Sequence, residues 1–207
     1  ATTKNLIHGL FANFMIIKNS LYTMANFKDN PIYKVHNDYY TPKSAWADIQ
    51  HLIPKFQIVY EAFMLNCNEQ SKQYLEELDY KVVGDKTINF LTNDLDKSTY
   101  DIVISNPPFE KIIFSRRHTN LKYMCIKKLF DNDKPFVILL NATNLFSKWF
   151  KELSNGKETH IKFIIPSNVI KYDKYEKGGT TKMKNGKSPS FKSVYITYKV
   201  LGSNVWI

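Results

Sequence analysis

Apolar residues return every three or four positions at Leu6, Leu10, Phe14, Ile17 and Leu21, which predicts an amphipathic helix over residues 5–25. The pattern then breaks: "FKDNPIYKVHNDYY" is polar, is interrupted by Asn30-Pro31, and reads as a loop. Thr41 is a good N-cap residue and Pro42 suits the first helical position, so "TPKSAWADIQHLI" predicts a second helix running to about Ile53, where Pro54 ends it. From there short apolar runs alternate with helical spacing. The runs are "FQIVYEAF", "KVV", "YDIVIS", "PFVILL", "IKFIIP" and "FKSVYITYKVLG", with "INFL" a further candidate strand. Between them, "NEQSKQYLEELDY", "LKYMCIKKLF" and "NLFSKWFKEL" carry helical periodicity.

Unbroken apolar runs of this length fit strands buried on both faces, and strands alternating with helices predict an α/β domain around a largely parallel sheet. The expected organisation is an N-terminal helical extension over 1–37 and a single Rossmann-like, doubly wound domain over 38–207. Ligands of such sheets bind beyond the carboxyl ends of the strands. The stretch 171–190, "KYDKYEKGGTTKMKNGKSPS", is polar, basic and glycine-containing, and predicts a long mobile loop.

A chain of 207 residues can bury a real core. Its formal charge of +10 points to a polyanionic partner such as nucleic acid, or to a lysine-rich surface with no further meaning. Two cysteines, Cys67 and Cys125, are too few for a disulfide framework and lack metal-site spacing, so no metal is expected and a reducing compartment fits best. "LIHGLFANFMII" has the length of a signal-peptide core, but His8, Asn13 and the lack of a preceding basic cluster argue against export. No apolar run approaches the roughly 20 residues that cross a bilayer. The expectation is an intracellular protein, cytoplasmic or nuclear, with no membrane partner.

The strand "DIVIS" ends in Asn106, Pro107, Pro108 and Phe109. Consecutive prolines stop a strand and fix a rigid extended backbone. A Pro-Pro turn with an incidental Asn and a core Phe is the plain reading. In its α/β context, "DIVISNPPF" resembles the catalytic signature of S-adenosylmethionine-dependent amino-methyltransferases, above all those acting on the N6 amine of adenine, with a wider likeness over roughly residues 38 to 200. The resemblance implies that the Asn106 side-chain oxygen and the Pro107 carbonyl accept hydrogen bonds from the adenine amine. Phe109 is then implied to stack on the target base, which must be swung out of a duplex to be reached.

The same resemblance implies a cofactor side for S-adenosyl-L-methionine. "NDYYTP" is similar to the segment whose Tyr39, Tyr40, Thr41 and Pro42 border the methionine moiety, with Thr41 also readable as an ordinary helix cap. "IVYEAF" resembles the cofactor strand, with Glu61 and Phe63 in pattern. It departs from the family where Ala62 replaces a proline and where Leu65 and Cys67 stand near the usual glycines. Asp85 is the acidic candidate for the ribose hydroxyls. In "INFL", Phe90 keeps the aromatic beside the cofactor's adenine, while Asn89 replaces an acid.

Nucleic-acid contacts are expected from Arg116, Arg117 and His118, in a loop after the corner, and from Lys182, Lys184 and Lys187 in the basic loop. Either set also reads as a solvated basic patch. Tyr172 and Tyr175 stack on unpaired bases or only pack the loop. The leading expectation is an N6-adenine methyltransferase on nucleic acid, DNA ahead of RNA. The same signature occurs in enzymes that methylate RNA amines or a glutamine amide of release factors. The alternative is a catalytically impaired subunit that binds nucleic acid and supports an active partner, as a homodimer or a heterodimer with a homologous subunit.

Overall fold

The computed structural model describes residues 39–207 apart from 65–68, 86, 89, 93–94, 109–110, 115–116, 177–178 and 183–190. The expected helix over 5–25 and the extension over 1–37 lie outside the described residues. In chain order come β1 (Tyr39–Tyr40), α1 (Lys43–Ile49), β2 (Ile58–Tyr60), α2 (Gln70–Glu76), β3 (Lys81–Val83), β4 (Ile102–Ser105), β5 (Lys111–Phe114) and β6 (Arg117–Asn120). They are followed by α3 (Leu121–Asn132), β7 (Phe136–Asn141), α4 (Lys148–Ser154), β8 (Ile161–Ile165), β9 (Asp173–Glu176), β10 (Gly179–Lys182), β11 (Ser193–Tyr198) and β12 (Val205–Trp206).

Seven strands form the main sheet in the order β12-β8-β11-β7-β4-β2-β3. The β3-β2, β2-β4, β4-β7 and β8-β12 pairs are parallel, and β11 runs antiparallel between β7 and β8. The apolar runs explain the placement. In β4 and β7, Ile102, Ile104, Val137 and Leu139 face Trp46, Ile49 and Leu75 of α1 and α2. Their neighbours Val103, Ile138 and Leu140 face Ile126, Leu129 and Phe150 of α3 and α4. Strands buried on both faces of the sheet need no polar alternation. Helices on both faces make this the expected doubly wound α/β fold, and β11 makes the sheet mixed rather than wholly parallel.

Local chemistry locks the frame. Asp101 Oδ2 accepts the Ile58 amide at 2.7 Å while the Asp101 amide donates to the Ile58 carbonyl at 2.8 Å, so the starts of β2 and β4 are tied together. The Tyr195 hydroxyl donates to the Ala45 carbonyl at 2.6 Å and fastens α1 to β11.

Several expectations require correction. Pro42 is itself the N-cap of α1, extended at φ −70° and ψ 154°, and helical geometry gives way after Ile49 to a 3-10 turn over Gln50–Leu52. Thr41 therefore sits one residue too early to cap the helix, because the extended ψ of Pro42 delays the first helical residue to Lys43. "INFL" is no strand: Phe90 and Leu91 lie in a turn, which follows the tight Asp85–Ile88 loop closed by the Ile88 amide on the Asp85 carbonyl at 3.2 Å. Tyr39 and Tyr40, expected in a loop, form β1. Within the supposed loop 171–190, β9 and β10 form an antiparallel hairpin that pairs with β1. Backbone pairing needs no apolar side chains, and the Gly178-Gly179 dipeptide is a hairpin signal that its basic surroundings mask. The segment bearing Arg117 and His118 is likewise a hairpin strand, β6, paired with β5.

Candidate active site

Four parallel strands deliver their carboxyl ends to one edge. Beyond β4 come Asn106 and Pro107, the first half-buried and the second buried. A residue before proline is held extended, and Pro107 has a fixed φ and no amide hydrogen, so the chain leaves the sheet in one direction. The Asn106 Nδ2 donates to Thr41 Oγ1 at 3.0 Å. Among the described residues, Asn106 Oδ1 is buried and has no hydrogen-bond partner. An unsatisfied buried acceptor costs about 1–3 kcal/mol and calls for an explanation.

Just beyond the neighbouring strand β2 stands Glu61, which is 3% exposed. Ser105, the last residue of β4, donates its hydroxyl to Glu61 Oε1, which also takes the Phe63 amide at 3.2 Å. Glu61 Oε2 is buried and lacks a partner among the described residues. Burial raises the pKa of this carboxyl, while the Ser105 hydroxyl, the nearby Ser71 hydroxyl and the Phe63 amide pull it back. Ser71 itself is held by Trp46 Nε1 at 3.1 Å. A third lone acceptor, Gln57 Oε1, lies just ahead of β2 at the opposite end of the sheet. Two unsatisfied oxygens at the carboxyl edge are thus joined through Ser105 and Asn106, which are adjacent in the chain.

Beyond β3, Gly84 has φ +105°, and a β-carbon there would meet the Glu61 carbonyl at 2.7 Å and the Tyr60 ring at 2.9 Å. Only glycine lets the two strand ends approach this closely. Lys72 Nζ donates to the Gly84 carbonyl at 3.1 Å. Asp85 Oδ1 accepts the Thr87 amide at 2.7 Å and also its hydroxyl, and these bonds hold the exposed carboxyl below its ordinary pKa. Phe90 is buried, edge-on to the half-buried Phe63 at 5.2 Å between centroids.

The structure thus brings Thr41, Glu61, Phe63 and Asn106 together, with Asp85 and Phe90 along the same edge. Tyr40 is buried in β1. Phe109, Asn89, Arg116, Lys184 and Lys187 lie outside the described residues, as do the side chains of Tyr39, Arg117, His118, Tyr175 and Lys182. Tyr172 packs rather than projects: it is buried, tilted against Phe191, and its hydroxyl shares a 2.7 Å hydrogen bond with Ser193. Sequence reasoning missed Ser105 and Ser71. Ser105 had a signal, as the one polar residue in the otherwise apolar run of β4. Among the described residues, no cluster of His, Cys, Asp and Glu could hold a metal ion, and no helix is long and apolar enough to cross a membrane.

No family model matches the sequence, and no curated protein does. Among solved structures, a protein from Listeria monocytogenes described as a class I S-adenosylmethionine-dependent methyltransferase superposes with a TM-score of 0.49 at 15% identity, over 89% of this chain and 68% of that one. A modification subunit of a type I restriction enzyme from Vibrio vulnificus gives 0.49 at 11% identity, over 100% of this chain and 53% of that one, so this chain spans about half its length. An rRNA methylase from Streptococcus thermophilus gives 0.38 at 12% identity, over 73% and 92% of the two chains. These are similarities of shape, too loose to carry an argument about ligands or substrates.

Proposed function

We propose that the chain transfers a methyl group from S-adenosyl-L-methionine to the N6 amine of adenine in nucleic acid, DNA ahead of RNA. The observation that supports this most is the Asn106 amide. Its nitrogen is engaged by Thr41, while its oxygen is buried without a partner beside a proline corner. An exocyclic amine has two hydrogens to give and a delocalised lone pair, so fixed acceptors on those hydrogens favour attack and offset the charge that develops. Asn106 Oδ1 takes one hydrogen and the Pro107 carbonyl the other.

The residues present fit the methyl donor. Glu61 Oε2 is an unsatisfied acceptor suited to an ammonium group, the free oxygen of Asp85 suits a ribose diol, and Phe63 against Phe90 offers an aromatic border. S-adenosyl-L-methionine supplies a methyl group on a sulfonium, which departs as a neutral thioether. Asn106 and Pro107 hold the amine in line, and its surplus proton passes to solvent once the nitrogen–carbon bond has formed. The +10 charge favours a nucleic acid over a protein amide as acceptor.

A second reading, a non-catalytic nucleic-acid-binding subunit beside an active homologue, draws on Asp85, whose Oδ1 is occupied by its own turn. Incubation of the purified chain with labelled S-adenosyl-L-methionine and DNA, RNA or protein separates the two. Label on adenine in nucleic acid, lost in Asn106→Ala, is the expected result. Binding of nucleic acid without calorimetric binding of the cofactor overturns it in favour of the second reading.

A further inference from the structure

β7 pairs with β4 so that Ile138 lies opposite Ser105, and then runs on to Asn141. At about 3.3 Å per residue the strand extends roughly 10 Å past Ser105, one strand away. There the chain makes a 3-10 turn over Ala142–Phe146, tied down along its length. Asn141 Oδ1 accepts the Thr143 amide at 2.9 Å and its hydroxyl at 2.8 Å, and Asn144 Nδ2 donates to the Asn141 carbonyl at 2.7 Å. Ser147 Oγ donates to the Asn144 carbonyl at 2.6 Å and accepts the Phe150 amide at 3.3 Å. Lys122, at the start of α3, reaches Asn144 Oδ1 at 3.3 Å.

This stapled turn ends in Phe146, whose ring is 89% exposed. The neighbouring residues are not short of apolar cover: Trp149 packs edge-on against Tyr123 at 6.1 Å and against Phe150 at 5.8 Å. Phe146 is left out of that cluster, on a backbone with little freedom to fold it inward. Lys148, two residues on, is 91% exposed and only loosely paired with Glu152 at 3.8 Å.

We infer that Phe146 is a stacking platform for an unpaired base of the nucleic acid, next to the target adenine, with Lys148 neutralising a phosphate beside it. This rests on the proposal that the acceptor is nucleic acid. An aromatic face accepts any base, and a ring on a rigid turn loses little freedom on binding. Cationic side chains beside it complement the phosphate backbone. The platform stands on a different loop from the basic segments after β4 and β8, so it adds a contact for the strand on the β7 side of the corner.

The test is fluorescence anisotropy of the full chain with an end-labelled single-stranded oligonucleotide and with the matching duplex, over a series of salt concentrations. Phe146→Ala is expected to weaken single-strand binding about 5- to 150-fold with an unchanged melting temperature, since the ring supports no core. Phe146→Trp should keep the affinity, and its emission should be quenched on binding. Lys148→Gln should lower the slope of log affinity against log salt by about one. Equal affinity of Phe146→Ala and the parent chain overturns the platform while leaving the nucleic-acid reading standing. No binding by the parent chain overturns both. If sedimentation shows a dimer that Phe146→Ala abolishes, with oligonucleotide affinity unchanged, the ring is a contact between two copies and the inference fails.

Discussion

At the end of β4 an amide is oriented by a hydroxyl from a distant segment, Thr41, whereas at the end of β3 a carboxylate is satisfied by its own turn, through Thr87. The first geometry exists only when the whole domain has assembled. The second is local and would survive in a short peptide. Between them stands Glu61, buried and bonded to both Ser105 and Phe63. The contrast indicates where precision is concentrated: at the end of β4, which the proposed function assigns to the acceptor amine, rather than at the end of β3, where Asp85 is held by its own turn alone.

The strongest way to break that comparison is Asn106→Ala. Loss of a preorganised acceptor is expected to reduce methyl transfer by about two to three powers of ten, while calorimetric affinity for S-adenosyl-L-methionine stays within about twofold. Equal loss of both would show that corner and cradle are one unit. Gly84→Ala tests the cradle's backbone. A β-carbon 2.7 Å from the Glu61 carbonyl at a left-handed φ should cost about 2–3 kcal/mol and lower the melting temperature by roughly 5–10 °C.

Thr41→Val sharpens the comparison further. It keeps shape but loses the acceptor for Asn106 Nδ2, so turnover is expected to fall about tenfold, with KM for the cofactor unchanged and activity restored in Thr41→Ser. A change in KM alone would mean that Thr41 serves the cofactor instead. The smallest effect is expected from Glu61→Gln. Burial raises the folded-state pKa of Glu61 above its ordinary value near 4.5, so the stability linked to its proton is complete below that value and is lost as pH rises through the folded pKa. The neutral amide escapes that loss. The variant should melt higher than the parent at pH 8, show no such gain at pH 4, and bind the cofactor more weakly. A lower melting point at pH 8 would show that Oε2 has a charged partner.

Much of the sheet was legible because central strands buried on both faces, such as "IVIS" and "FVILLN", have to be apolar runs, and "IVY", "KVV", "IKFII" and "SVYITY" became strands as well. The corner was legible for another reason: two prolines after a strand leave few conformations. The bond from Asn106 to Thr41 was not legible, because Pro42 looked helical by type and only its extended ψ moves the cap. "INFL" misled, since four apolar residues carry no period that separates strand from turn. The hairpin β9–β10 escaped because its pairing uses backbone groups within polar sequence, whereas in β5–β6 the apolar "KIIF" is too short to stand out and its partner "RHTN" is polar. Ser71 gave no signal at all: in the sequence it is one polar residue among many in α2, and only the fold sets its hydroxyl against Trp46.

The place of β11 in the sheet also governs how the domain is assembled. It lies between β7 and β8, yet the chain from Ala142 to Lys192 intervenes before it is made, and β8 is synthesised earlier. Until Ser193–Tyr198 is in place, β8 has no bond to the rest of the sheet, since its partners are β11 on one side and the still later β12 on the other. The β12-β8 end of the sheet therefore joins β7 only through β11, a pairing that closes late in the chain.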